Sequence, residues 1–461
     1  MTKLKKAPSP KGHFLLGHLP EFNRDLLGFL DRSQDYGDIV RVRLAHIVGH
    51  IVSHPALAEH VLLTDSEHMV KISQVKPDIG LPYLMGNGLV VSYGDLWRRQ
   101  RNLINPVFRP KAVEKQIDSM ILSGEKLVTR LNDYAVDGMP VDIWNESMQT
   151  SLDAALVTMF GKPLRENFDK INNAFTVALH YCFEATKNPF MLPLKWPTPK
   201  NRRFHAALAV INNYVGTLIK ERQESDIKHE DFLGVLLDAT DKDTGKKMSA
   251  DLIRDEAVTM LGAGHETSAG ALTSALIHIA RQPEIARRIR QELRVVVGEG
   301  PLNAGHIRQL RYLQAVVQET LRLSAPIPLI PRAVTQDTTI HGYHIPAGTI
   351  IFVSVYNIHR HKDFWRDADQ FNPDRFFNGE GMLQKHRCAY IPFGAGERFC
   401  IGSHFGSIEL AILLAQVIRN FNLQLLRDTV PMEVAITVRP KGPVYMLVEQ
   451  APSMKANIAA A

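Results

Sequence analysis

One cysteine in a glycine-framed turn constrains this chain more than anything else in it. The stretch Phe393-Gly394-Ala395-Gly396-Glu397-Arg398-Phe399-Cys400-Ile401-Gly402 puts glycine on both sides of the thiol. Glycine lets backbone come close to a bulky planar group. An apolar run follows at once, with Phe405, Ile408, Leu413, Val417 and Phe421 at roughly helical spacing. The thiol therefore stands just ahead of a helix N-terminus, where free N–H groups and the helix dipole favour a thiolate. A thiolate so placed is a strong ligand for iron, with its reactivity set by the donors around it. The alternative is a buried structural thiol, and the frame argues against it.

A second constraint is Leu261-Gly262-Ala263-Gly264-His265-Glu266-Thr267-Ser268-Ala269-Gly270, which interrupts an otherwise apolar helical pattern over residues 250–281. Each glycine costs a helix interior about 1 kcal/mol relative to alanine, so these need a reason. Small residues make room for a flat cofactor with a diatomic ligand above it. Close helix–helix packing is the competing explanation. Thr267 is placed to bond a carbonyl one turn back and open the helix locally.

Two charged patterns complete the set. Glu319 and Arg322 share a helix face, and their helix is otherwise apolar, with Leu313, Val316, Val317, Leu321 and Leu323. On a surface helix such a pair contributes little. Trp97 and Arg101 also share a face, while Arg98 and Arg99 point elsewhere. Alone, that pattern fits a solvated face as well as a carboxylate-binding one.

In chain order these segments resemble the cytochrome P-450 family. Phe393, Gly396, Cys400 and Gly402 fill every fixed position of the FxxGxxxCxG haem-thiolate signature, with Arg398 at its usual basic position. Ala263-Gly264-His265-Glu266-Thr267 fits the family's oxygen-helix motif. Glu319 and Arg322 fit ExxR, and Phe371-Asn372-Pro373-Asp374-Arg375-Phe376 fits the later Pro/Arg/Phe motif. The resemblance implies a mainly α fold with small β-sheets (α+β). It places haem b between the long oxygen-binding helix and the helix after the cysteine loop, with Cys400 as axial iron ligand. It gives Glu266 and Thr267 a proton-relay role and makes Glu319, Arg322 and Arg375 a buried structural triad supporting the cysteine loop. Trp97 and Arg101 become a propionate clamp. Arg332, Arg398 and Phe393 are further cofactor contacts by position, and His359 a weaker one. His265, at the variable motif position, is expected to pack or face solvent.

The 461 residues are 45% hydrophobic, enough for a large core, and carry 54 basic against 48 acidic side chains. That balance is too mixed for a nucleic-acid binder but allows a local basic face for an acidic protein partner. Arg98, Arg99, Arg109, Lys111, Lys385 and Arg387 are the candidates. Cys182, Cys388 and Cys400 have no regular spacing, which argues against a disulfide framework and fits a reducing compartment. No CxxCH and no paired zinc spacing occurs. No segment approaches the roughly 18 apolar residues of a membrane span.

Candidate haem contacts run from Trp97 to Gly402, so the expectation is a single domain over 1–461, with a Pro-rich arm at 1–20 and a flexible tail at 451–461. Helical patterns are clear at 95–105, 111–135, 143–160, 202–224, 250–281, 283–297 and 311–324. Hairpins are expected at 38–54 and 338–355, and strands over 422–449.

By the resemblance, the chain is expected to be a cytoplasmic, monomeric haem-thiolate monooxygenase with no transmembrane anchor. It would hydroxylate an apolar substrate with O2 and two electrons from a separate ferredoxin or flavodoxin and its reductase. Segments 69–90, 175–196, 325–330 and 435–438 would line the pocket, with Leu84, Met85, Phe183, Phe190, Ile330 and Ile436 among them. A terpenoid, steroid or long-chain fatty acid suits such a wall, and Arg41 or Arg43 either meets a fatty-acid carboxylate or lies exposed on the surface. A peroxygenase or isomerase stays open but needs no acid–alcohol pair. A non-catalytic haem protein stays open but needs no apolar pocket.

Overall fold

The computed structural model describes residues 5–164, 168–188, 190–227, 230–240, 245 and 247–452. Most of the tail expected at 451–461, and the first four residues of the arm, lie outside them.

The long helices are α1 (Gly94–Ile104), α2 (Ile117–Asp137), α3 (Ile143–Phe160), α4 (Phe168–Lys187), α5 (Pro199–Gln223), α6 (Ala250–Arg281), α7 (Pro283–Val296), α8 (Arg311–Leu323) and α9 (Ser403–Asn420). Side-chain caps start several of them. Asp142 accepts the Trp144 N–H ahead of α3, Thr198 the Asn201 N–H in α5, and Ser249 the Leu252 N–H in α6. Left-handed Gly138 and Gly161 end α2 and α3. The pattern at 111–135 breaks, because a short helix Pro110–Glu114 precedes α2. Helix α4 adds to the helical segments expected from periodicity, its buried Ile171, Ala174, Phe175, Ala178 and Cys182 sharing one face.

α6 is the spine. Its 32 residues are buried on nearly every side, packed among α3, α5, α8 and α9. A helix apolar all round belongs in a core. Each fully buried leucine, such as Leu261 or Leu272, contributes about 1.5–3 kcal/mol by leaving water.

The largest sheet runs β1-β2-β8-β5-β3, with β1 Ile39–Leu44, β2 Ile47–Val52, β3 Met69–Val70, β5 Leu329–Val334 and β8 Ile350–Ser354. β1 and β2 are the hairpin expected at 38–54, pairing Ile39 with Val52. The second hairpin is shorter than expected. β6 (Thr338–Ile340) and β7 (Tyr343–Ile345) turn at His341 and Gly342, both at positive φ. After a break at Gly348 (φ 77°), β8 joins β2 in parallel instead. β4 (Val141–Asp142), β12 (Tyr445–Gln450) and β9 (Phe421–Leu425) form a second sheet, and β10 (Met432–Val434) pairs with β11 (Val438–Pro440).

β11 lies directly on α6. The Val438 N–H donates to the Pro326 carbonyl at 2.8 Å. The Val438 carbonyl would stand 3.3 Å from a β-carbon at Gly270. That glycine is therefore explained by a strand, and not by a cofactor. Arg43 is also committed to the fold, donating to the carbonyls of His13, Phe14, Leu15 and Ala45 and so tying the arm to β1. It is not placed to meet a substrate carboxylate. No helix among the described residues is long and apolar enough to cross a membrane.

Candidate functional site

Close backbone approach builds the Cys400 turn. Gly394 and Gly396 have φ of 76° and 75°, and a β-carbon at Gly396 would stand 2.2 Å from the Leu62 carbonyl. The Cys400 N–H donates to the Phe393 carbonyl at 3.0 Å, which brings the half-buried Phe393 against the turn just before Gly402 caps α9. The thiol is accessible yet lies deep in the protein, so it faces an internal cleft and not bulk water. Burial pushes it above the ordinary thiol range, while the Gly402 N–H and the Arg101 charge pull it down and lose. The thiolate expected from the helix N-terminus alone is thus outweighed by desolvation. A bound cation would make it the stable form.

In the middle of α6, Ala263, Gly264, Thr267 and Ser268 are only half-buried, while the turns on either side are buried. The Thr267 hydroxyl donates to the Ala263 carbonyl at 2.7 Å. The helix does not open there but stays α-helical throughout, since the hydroxyl adds a second donor to that carbonyl without displacing the ladder. Ser268 donates to Glu409 on α9 at 2.6 Å, so the acid–alcohol segment and the cysteine helix border one space. Burial pushes Glu409 up to about 8. Glu266 is engaged on another side, accepting from Arg439 at 3.0 Å. His265 is buried edge-on against Phe175, and burial lowers its ring to about 4.

Beside the turn, cations gather. The Arg398 guanidinium lies 3.8 Å from the Trp97 ring centre and donates to the Ser92 carbonyl at 2.9 Å. Its nearest carboxylate, Glu397, is 3.8 Å away and mostly solvated. Arg332 is buried and donates to the Pro331 carbonyl at 2.9 Å. Burial lowers both arginines to about 10. Arg101, held below its usual range by burial, feels both Cys400 and Arg398. Lys71 carries no motif and resembles any surface lysine until β3 folds. Its ammonium donates to the Val90 carbonyl, and burial, then Arg398 and Arg332, push it down to about 7. Gathered cations in low dielectric favour an anion between them. A soft thiol facing a cleft, with this cluster beside it, fits a haem and its two propionates.

The apolar wall lies toward α6. A β-carbon at Gly262 would stand 3.4 Å from Met85 and 3.5 Å from Phe175, and Leu84 beside them is fully buried. A methyl of Ile330 comes within 3.6 Å of a β-carbon at Gly394. Phe190, expected in this wall, is 67% exposed, because its loop is clamped outward by Asn201 donating to the Pro193, Leu194 and Trp196 carbonyls.

Glu319, Arg322 and Arg375 come together in the core beneath the cysteine loop. Arg322 forks onto both Glu319 oxygens at 2.7 and 2.8 Å, and Arg375 reaches Oε1 at 3.2 Å. His359 is not free for a propionate. Its Nδ1 lies 2.8 Å from the Arg322 carbonyl and its Nε2 accepts the Ile391 N–H at 2.9 Å, linking the triad to the run into Cys400. On the expected basic face, Arg98 is paired with Asp95 and Arg387 with Glu59, which weakens that face's positive field.

The family model described as Cytochrome P450 matches residues 7–448. The chain is 30% identical over 449 residues to cyclooctat-9-en-7-ol 5-monooxygenase of Streptomyces melanosporofaciens, covering 94% of this chain and 93% of that one. It is 28% identical over 435 residues to pentalenene oxygenase of Streptomyces avermitilis, covering 93% and 94%. The solved structure of retinoic acid-bound cyanobacterial CYP120A1 superposes with a TM-score of 0.84 at 24% identity, covering 97% of this chain and all of that one, a likeness of fold.

Proposed function

Because the chain belongs to the cytochrome P450 family of haem b monooxygenases, we propose that it hydroxylates an apolar substrate, with a terpenoid ahead of a steroid or long-chain fatty acid. The carrying observation is the apolar wall of Leu84, Met85 and Phe175 over Gly262, on the helix that also carries Thr267. Two relatives whose names indicate terpenoid substrates put that class first. Per turnover, the substrate and dioxygen take up two electrons and two protons to give an alcohol and water. The electrons come from a separate ferredoxin or flavodoxin and its reductase. Cys182 and Cys388 are buried free thiols, which supports a reducing, cytoplasmic setting.

Bound haem supplies the activation of dioxygen. Cys400 holds its iron. Lys71, Arg332 and Arg398, with Arg101 and Trp97, hold the propionates, and Phe393 supports the turn behind the thiol. Thr267 hands on protons that arrive at Glu266. Leu84, Met85 and Phe175 keep water away from the α6 segment that carries Thr267. The Glu266–Thr267 pair disfavours a peroxygenase or isomerase, and the apolar wall disfavours a mere electron carrier.

Titrating the ferric enzyme with terpenoids, steroids and fatty acids should displace the Soret band toward the high-spin position, most strongly with terpenoids. A shift given only by small polar compounds would overturn the substrate class. Thr267→Ala should keep haem and substrate binding but divert severalfold more reductant into free hydrogen peroxide, because a positioned proton donor is lost. Unchanged coupling of reductant to product would remove Thr267 from the relay.

A further inference from the structure

Glu266 is buried to 2% exposure, and its Oε2 has no hydrogen-bond partner. Its other oxygen, Oε1, accepts from Arg439 at 3.0 Å. The Nε of Arg439 donates to Glu433 at 3.0 Å, and the Glu433 side chain is 38% exposed. A line of charge therefore runs from the middle of α6 to the surface. The fold builds it on purpose-made geometry. Glu433 and Arg439 are directly opposed in the β10–β11 register. Gly270, one turn past Glu266, is what lets β11 lie close enough on α6 to seat the guanidinium. His180 on α4 also feels the Arg439 charge, and burial, then that charge, hold its ring below the ordinary range.

We infer that Arg439 is the positioning residue of the proton relay, pinning one oxygen of Glu266 so that the other stays open to receive protons. This rests on the relay role given above to Glu266 and Thr267. Arginine keeps its proton, so Arg439 supplies charge and geometry and does not pass a proton itself. A proton from solvent binds at Oε2 of Glu266 and moves to the Thr267 hydroxyl, whose own proton passes to dioxygen as it takes up the electrons that the redox partner supplies. Glu266 then returns to a carboxylate against Arg439, with one proton taken in and one delivered. The orphaned Oε2 is the atom this scheme needs. Without Arg439, the buried carboxylate has lost its counter-ion and becomes a neutral acid.

The experiment compares Arg439→Leu, Arg439→Lys, Glu433→Gln, Glu266→Gln and the Glu266→Gln/Arg439→Leu double variant as haem-loaded enzymes. Arg439→Leu should raise peroxide release severalfold while the substrate Kd and the thiolate spectrum stay unchanged. Arg439→Lys should recover most of the coupling, and Glu433→Gln should show a smaller loss in the same direction. The double variant should be no worse than Glu266→Gln alone. In the resting enzyme, without turnover, Arg439→Leu should show a protonated-carboxyl infrared band that Glu266→Gln removes. If Glu266→Gln leaves coupling intact, the relay itself is wrong. If Glu266→Gln uncouples but Arg439→Leu lowers only the melting temperature, or adds fully to Glu266→Gln, Arg439 is structural and this inference fails. Should Arg439→Leu not fold, Arg439→Lys and Glu433→Gln decide the question by the same readouts.

Discussion

Cys400→Ala should abolish the red-shifted Soret band of the reduced carbon-monoxide complex and, with it, all product formation. The loss is expected to be complete, because no other thiol can take over. Burial pushes Cys182 up to about 12 and Cys388 up to about 11, and both are packed inside hydrophobic clusters where no cofactor reaches them. Cys182 lies in the face that α4 turns into the core, and Cys388 lies among the Ile391, Val353 and Leu62 cluster behind the large sheet. Cys400 alone lies deep, accessible and next to the gathered cations. Its own thiol is raised by burial, so the iron must drive deprotonation, and removing the sulfur leaves the iron without a thiolate. The backbone of the turn depends on Gly394, Gly396 and the Phe393 carbonyl and not on sulfur, so the variant should still fold. Far-ultraviolet dichroism would show that separately. A persistent thiolate band in Cys400→Ala would move the ligand elsewhere and undo the reading of the whole site.

The residues legible in the sequence share one property, namely that local backbone chemistry fixes them. Gly396 must be glycine because the Leu62 carbonyl sits against it. Glu319 and Arg322 meet because three residues on one helix bring them together. Helix α8 is readable because its apolar positions recur at helical spacing, and α6 because apolar turns flank its glycine-rich segment on both sides. What stayed hidden depends on contacts between distant segments. Lys71 becomes part of the cation cluster only when β3 pairs with β5, which carries Arg332. His359 looks like a spare donor until both ring nitrogens are seen bonded to backbone. Gly270 looks like part of the cofactor motif until β11 is laid over it. Arg439 carries no motif at all, and its partner Glu266 lies far from it in the chain.

The second large effect is on folding. Glu319→Ala should yield little soluble, haem-loaded protein and should destabilise what is recovered by about 3–5 kcal/mol, the usual result of removing one partner from a buried ion pair. Glu319 and Arg322 have side chains at 0% exposure and Arg375 at 2%. Losing the carboxylate leaves two guanidinium ions facing each other without an anion. It also strips the Asn372 N–H of its acceptor, 2.9 Å away at Oε1. The damage should spread along identifiable bonds. Arg322 holds the His359 and Ala368 carbonyls at 2.6 and 2.7 Å, and Arg375 the Asp367 carbonyl at 2.6 Å. His359 in turn accepts the Ile391 N–H, at the start of the run that ends in Cys400. The triad thus supports the strand-like segment behind the iron ligand, though none of its atoms touches the reaction. Glu319→Gln should fall between wild type and alanine, keeping the Asn372 bond and losing the charge. Thr267→Ala, which disturbs no such network, should melt near wild type. Denaturant unfolding and haem content measured on the three variants would settle the matter. A Glu319→Ala enzyme with normal haem loading and stability within about 1 kcal/mol of wild type would mean that the triad is not what holds the cysteine turn in place.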